Sequence, residues 1–161
     1  MEKREIYFSE LDFDKLRELV NTYYSDSLND NELNYARLSR KLTEGVVLSL
    51  ENVPYDLVTM NSLIYLRNAD HYDQKMVFTL VFPEDADHTR NKISVASPIG
   101  ISLIGEKMKR IISYESMGGT KRLKIERILH QPETHLKYEE LLKKTYSDRK
   151  SKSGEEIEFY Y

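Results

Sequence analysis

Apolar residues change their spacing twice along this chain. Between residues 10 and 44 the period is helical. Phe13, Leu16, Val20 and Tyr23 recur at intervals of three and four, with Leu19 widening the stripe. A second stripe runs through Leu33, Tyr35, Ala36, Leu38 and Leu42. Ser9, three residues before Asp12, is placed to cap the first helix. The Ser, Asp and Asn residues of Ser25–Asn31 have turn chemistry, and Gly45 offers a helix stop. Two helices of about 14 or 15 residues joined by a short polar turn pack antiparallel, as a hairpin about 21–23 Å long.

From Val58 alternation replaces the helical period. In Met76–Phe82 the larger residues Met76, Phe78, Leu80 and Phe82 share one face. Ser62–Arg67 and Arg122–Leu129 read as further strands, with Ile93–Ala96 and Ile111–Tyr114 as shorter ones. Pro83 closes one strand, and Gly118-Gly119 supplies a tight turn. Ser97-Pro98 has the form of a helix start, with Ser as cap and Pro at the first position. Leu103 and Ile104 give that helix an apolar face before Gly105 ends it. The pattern predicts an α+β fold: a short N-terminal antiparallel helical hairpin, then a mainly antiparallel sheet packed on one helix. After Pro132, Leu136, Tyr138, Leu141 and Leu142 predict a short C-terminal helix and a loose tail. The expected divisions are residues 1–54, 55–134 and 135–161.

Composition narrows the function. With 161 residues, 40% hydrophobic and 32% charged, the chain holds enough apolar material for one domain and a small appendage. The absence of cysteine removes disulfides, thiolate metal sites and Cys nucleophiles. A net charge of −3 argues against a general nucleic-acid binder, which needs a basic surplus to release counterions. The acidity concentrates in residues 1–54, which carry 7 basic and 11 acidic groups. No apolar run approaches a spanning helix, and the opening residues lack the apolar stretch of a signal peptide. A soluble, cytoplasmic protein with no membrane partner is expected.

Candidate chemistry is sparse. His130 and His135 are five apart and straddle Pro132, off the four-residue spacing that puts two ligands on one helical face. Glu84-Asp85-Ala86-Asp87-His88 lacks the glycine and closing glutamate of a calcium loop and reads as a solvated turn. Gly118-Gly119-Thr120-Lys121 lacks the first glycine of a phosphate loop. No metal, cofactor or catalytic residue is assigned. Three carboxylates at the hairpin turn stand out: Asp26, Asp30 and Glu32. They serve capping and turn formation, or help hold a metal ion in another protein's active site.

Four strings occur in order: Val58-Thr59-Met60-Asn61-Ser62, Leu80–Asp87, Ile93–Gly100 and Gln131-Pro132-Glu133, preceded by Ile6–Asp12. Together, over residues 5–134, they resemble the Rnk group (regulator of nucleoside diphosphate kinase) within the GreA/GreB family of bacterial transcription factors. The resemblance implies a coiled-coil hairpin followed by an FKBP-like domain. It also implies RNA polymerase as partner, engaged at the rim of its secondary channel, with DNA reached only through the polymerase. Docking in the Gre factors uses a loop with a Ser-Pro motif, which falls here on Ser97 and Pro98, with Ile99 as apolar neighbour. The preceding position, often an amide or acid in those factors, is Ala96.

Gre factors promote cleavage of backtracked RNA by presenting tip carboxylates to the polymerase's catalytic metal. A hairpin of about 22 Å is far shorter than their coiled coils. Asp26, Asp30 and Glu32 are therefore expected to touch the channel at most. The expectation is a non-enzymatic regulator that competes with cleavage factors for the channel. Alternatives are a Gre-type cleavage factor using the acidic tip, and a module that self-associates through its hairpin. A peptidyl-prolyl isomerase on the FKBP-like fold would need a concave pocket from Tyr65, Phe78, Phe82 and Tyr114, in a chain without tryptophan.

Overall fold

Ser9 ends a short strand, β1 (Tyr7–Ser9), and its hydroxyl accepts the Asp12 N–H at 3.2 Å. That bond satisfies one of the free donors at the start of α1 (Glu10–Ser25). Leu16 and Val20 on α1 face Tyr35, Leu38 and Leu42 on α2 (Glu32–Glu44), and all five are buried. At 16 and 13 residues the helices are about 24 and 20 Å long. Tyr23 and Tyr35 stack across the pair with ring centroids 3.8 Å apart. After Gly45 the chain enters β2 (Val46–Leu48), which runs parallel to β1 with Phe8 opposite Val47. Three residues carry too little alternation to announce a strand, and the sequence pattern predicts neither. The computed structural model describes residues 4–26 and 31–153, with side chains through residue 148.

Five strands form the main sheet in the order β5–β4–β3–β7–β6. They are β3 (Leu63–Asn68), β4 (Lys75–Val81), β5 (Lys92–Ser94), β6 (Ile111–Ser116) and β7 (Gly119–His130). Pairing is antiparallel except between β4 and β5, which run parallel. Single helical turns occupy Leu50–Asn52, Pro83–Asp85 and His88–Arg90. Alternation sets the inner face: Ile64 and Leu66 of β3 and Leu123 and Ile125 of β7 are fully buried. The helix α3 (Pro98–Leu103) packs on this face through Ile101 and Leu103. Leu16, Leu38 and Leu42 of the hairpin join the same cluster, so hairpin and sheet share one core.

The C-terminal helix α4 (Pro132–Ser153) is 22 residues long and takes in residues 151–153, where the sequence reads as the start of a loose tail. Pro132 suits its first position because the missing N–H would have no helical partner there. Gln131 fixes the entry: its side-chain amide donates to the carbonyls of Pro54 and Leu57, both at 2.8 Å. Leu136, Tyr138 and Leu141 are exposed, so the apolar residues that announced the helix do not serve the core.

Close approach governs how α3 sits. A Cβ on Gly100 would lie 2.0 Å from the Ser94 carbonyl oxygen, a backbone atom of β5. Gly100→Ala is expected to lower stability by about 2–4 kcal/mol. Urea unfolding should show a reduced midpoint at unchanged slope.

Candidate functional site

The Ser97-Pro98-Ile99 corner is built by two serines. The Ser97 hydroxyl accepts the Gly100 N–H at 3.1 Å and donates to the Ser94 carbonyl at 2.6 Å. The Ser94 hydroxyl accepts the Ala96 N–H at 3.0 Å. Pro98 is the first residue of α3, where its fixed φ suits the helix. All three corner residues are half-buried, and Ile99 packs against the core. A capped turn thus holds a rigid apolar edge at the surface.

At the far end of the hairpin's first helix, Asp26 closes α1, its N–H donating to the Tyr23 carbonyl at 3.2 Å. Glu32 opens α2, and both residues are exposed. Asp30 lies outside the described residues.

Two buried polar clusters fix the hairpin relative to the corner. Glu106, 5% exposed, faces Arg4 Nε at 2.9 Å, Arg110 Nη1 at 3.0 Å and Lys41 Nζ at 3.6 Å. Lys41 also donates to the carbonyls of Ile101 and Ser102 at 2.7 and 3.3 Å, at the C-terminal end of α3. A cation there also meets the negative end of the helix dipole. Burial pushes the Lys41 ammonium down to about 8, against the opposing pull of Glu106. In the second cluster the Asp12 carboxylate accepts the Met60 N–H at 2.9 Å. Beside it, Glu133 of α4 accepts the Thr59 hydroxyl at 2.7 Å. The Val58–Ser62 string thereby receives the starts of both α1 and α4. Burial pushes Asp12 up to about 7; the Met60 bond opposes this and the Glu133 charge adds to it.

Neither cluster follows from the sequence pattern. Asp12 reads there as part of a cap, and nothing in the pattern marks Arg4, Lys41 or Glu106. The one available signal was that Thr59, Met60 and Glu133 lie inside the family-like strings.

The remaining candidates stay apart. His130 ends β7 and His135 lies in the first turn of α4, with ring centroids 6.0 Å apart. Among the described residues no group of three or more His, Cys, Asp or Glu is arranged to hold a metal. Asp87 accepts bonds from the N–H and hydroxyl of Thr89, a self-contained turn. Phe78, Phe82 and Tyr114 pack against the core, while Tyr65, paired with Val77, points to the opposite face beside Arg67. Tyr65 thus stands apart from the other three rings.

A model of the C-terminal part of the transcription elongation factors GreA/GreB matches residues 53–130. The regulator of nucleoside diphosphate kinase of Escherichia coli (strain K12) is 33% identical over 97 residues, 60% of this chain and 71% of that protein. The chain belongs to the GreA/GreB family. The transcription elongation factor GreA of Clostridium perfringens (strain 13 / Type A) is 28% identical over 114 residues, 63% of this chain and 72% of that one. A solved GreA/GreB elongation factor from Nitrosomonas europaea superposes with a TM-score of 0.65 at 28% identity, covering 78% of this chain and all of that one. The corner falls within the GreA/GreB match, whereas the hairpin tip and α4 lie outside it. Among the described residues no helix is long and apolar enough to cross a membrane.

The buried Asp12 gives the fold a pH dependence with a definite sign. Its folded-state pKa, about 7, lies above the ordinary 3.8, so the folded form holds the extra proton between those values. The contribution is fully present below about pH 4 and is lost as pH rises through about 7. Stability is expected to fall by about 1–3 kcal/mol from pH 5 to pH 8. Asp12→Asn keeps an acceptor for the Met60 N–H and should flatten that fall. Urea titrations of both proteins across this range provide the check.

Proposed function

We propose that this chain is an RNA polymerase-binding transcription regulator. It docks at the rim of the secondary channel through Ser97, Pro98 and Ile99 and competes there with Gre-type cleavage factors, without catalysis of its own. Membership of the GreA/GreB family supports the partner. The corner supports the docking mode: its apolar edge is already ordered by the Ser97 cap, so little conformational freedom is lost on binding. DNA is met only through the polymerase, and a cytoplasmic location goes with that partner.

The observation that carries the non-catalytic half is hairpin length. Helices of 16 and 13 residues put the tip only about 20–24 Å from the root. A carboxylate serves a catalytic metal only within bonding reach, and a misplacement of about 1 Å is already costly. Asp26, Asp30 and Glu32 act instead as contacts at the channel entrance. A second reading, a Gre-type cleavage factor, draws on those same tip carboxylates and on the similarity to GreA.

Equilibrium binding to purified core RNA polymerase tests the proposal with wild type and Pro98→Asp. An aspartate is tolerated in a first helical turn, so the variant keeps its fold, which circular dichroism verifies. Saturable binding by wild type and at least a tenfold loss in the variant are expected. On backtracked complexes, wild type should suppress cleavage stimulated by a Gre factor and stimulate none itself. Absence of wild-type binding at micromolar concentration overturns the proposal. Stimulated cleavage that Asp26→Asn or Glu32→Gln removes would put the cleavage reading in its place.

A further inference from the structure

The Ser97–Ile99 corner opens onto a groove. Between α2 on one side and α3 with β6 on the other, two adjoining cavities of about 280 and 310 Å³ share Arg37, Ile101, Ser102 and Ser113. Pro98 and Tyr114 line one end, next to the corner, and Arg4 and Lys41 line the other. The cationic side chains there are not equivalent. Arg4 and Lys41 are committed to Glu106, and Arg40 pairs with Glu44 at 3.0 Å. Arg37 sits where the two cavities meet, is exposed, and its side chain makes no hydrogen bond or ion pair among the described residues.

We infer that the docking surface continues from Pro98 into this groove, where the Arg37 guanidinium takes a carboxylate from an acidic segment of the polymerase that also carries an apolar side chain. The inference rests on the docking reading above. Charge selects an acidic partner. Across the two cavities Arg4, Arg37, Arg40 and Lys41 stand against Glu44, Glu106 and Glu115, and the excess cation is Arg37, in a chain of net charge −3. The floor selects a protein segment over a phosphate backbone. Ile101 and Ile112 are almost wholly buried beneath it, and Pro98 and Tyr114 add carbon surface at the corner end. An apolar side chain fits that floor while its neighbouring carboxylate reaches Arg37, and the guanidinium fork can hold the carboxylate through two bonds.

Binding to core polymerase is measured for wild type, Arg37→Ala, Arg37→Lys and Pro98→Asp at about 50 and about 300 mM salt, between which charge screening grows strongly. Alanine at an exposed helical position favours the helix, so the first variant folds. Arg37→Ala is expected to bind about tenfold more weakly at low salt, with a smaller deficit at high salt. Arg37→Lys should recover part of the loss, as a point charge without the fork. Wild-type affinity in Arg37→Ala together with lost binding in Pro98→Asp overturns the groove and leaves the corner standing. An equal deficit at both salts overturns the charge pairing. Failure of wild type to bind removes the docking reading, and the groove with it.

Discussion

Glu106 is the point on which the arrangement of the molecule depends. A carboxylate this deeply buried is tolerable only beside compensating charge, and its three cations come from three parts of the chain: Arg4 ahead of β1, Lys41 on α2 and Arg110 before β6. Swinging the hairpin away would withdraw Lys41, leaving its ammonium without the Glu106 carboxylate. Lys41 does a second job, since the same ammonium satisfies carbonyls at the end of α3. The short helix that carries the Ser97-Pro98 corner is therefore held at both ends. Ser97 caps its start, and a residue of the hairpin caps its finish.

The Asp12 cluster holds the opposite side of the same junction. Here two acids, Asp12 and Glu133, approach the Val58–Ser62 turn from α1 and α4 and take a backbone N–H and a hydroxyl from neighbouring residues. Burial of Asp12 and, less strongly, the neighbouring Glu133 charge favour its protonated form. One side of the junction thus rests on charge compensation and the other on a carboxyl group near its own titration point. The hairpin, the sheet and α4 meet as a single rigid base, and the corner is presented from it.

Elements with sustained periodicity were legible in the sequence. The stripes of α1 and α2, the Met76–Phe82 alternation and the Ser97-Pro98 helix start each carry local signals that survive folding. What was not legible depends on distance along the chain. Arg4 and Glu106 are separated by 102 residues, and nothing in either neighbourhood marks them as partners. The strands β1 and β2 are too short to alternate, and their pairing arises from the closure of the hairpin between them. The C-terminal helix shows the reverse failure. Its leucines suggested a packed face, yet they lie exposed, and the helix runs on through a polar stretch whose helix formers are Arg149, Lys150 and Lys152. Of the corner, the cap was legible from Ser97 and Pro98, whereas the groove behind it needed α2 to be placed against β6.

The parallel β1–β2 pair has a consequence for how reach varies in such a protein. Both ends of the hairpin are stitched into one two-stranded ribbon, and Gly45 is tucked so tightly beneath Phe8 that a side chain there would meet the ring at 2.3 Å. The root is consequently indifferent to what happens at the far end. Inserting seven residues in each helix would carry the turn outward by about 10 Å while leaving every contact at the ribbon unchanged. Reach is thus a single adjustable dimension of the molecule, separable from the corner proposed to dock. A short occupant and a long probe can be made from one base by changing only the number of helical turns.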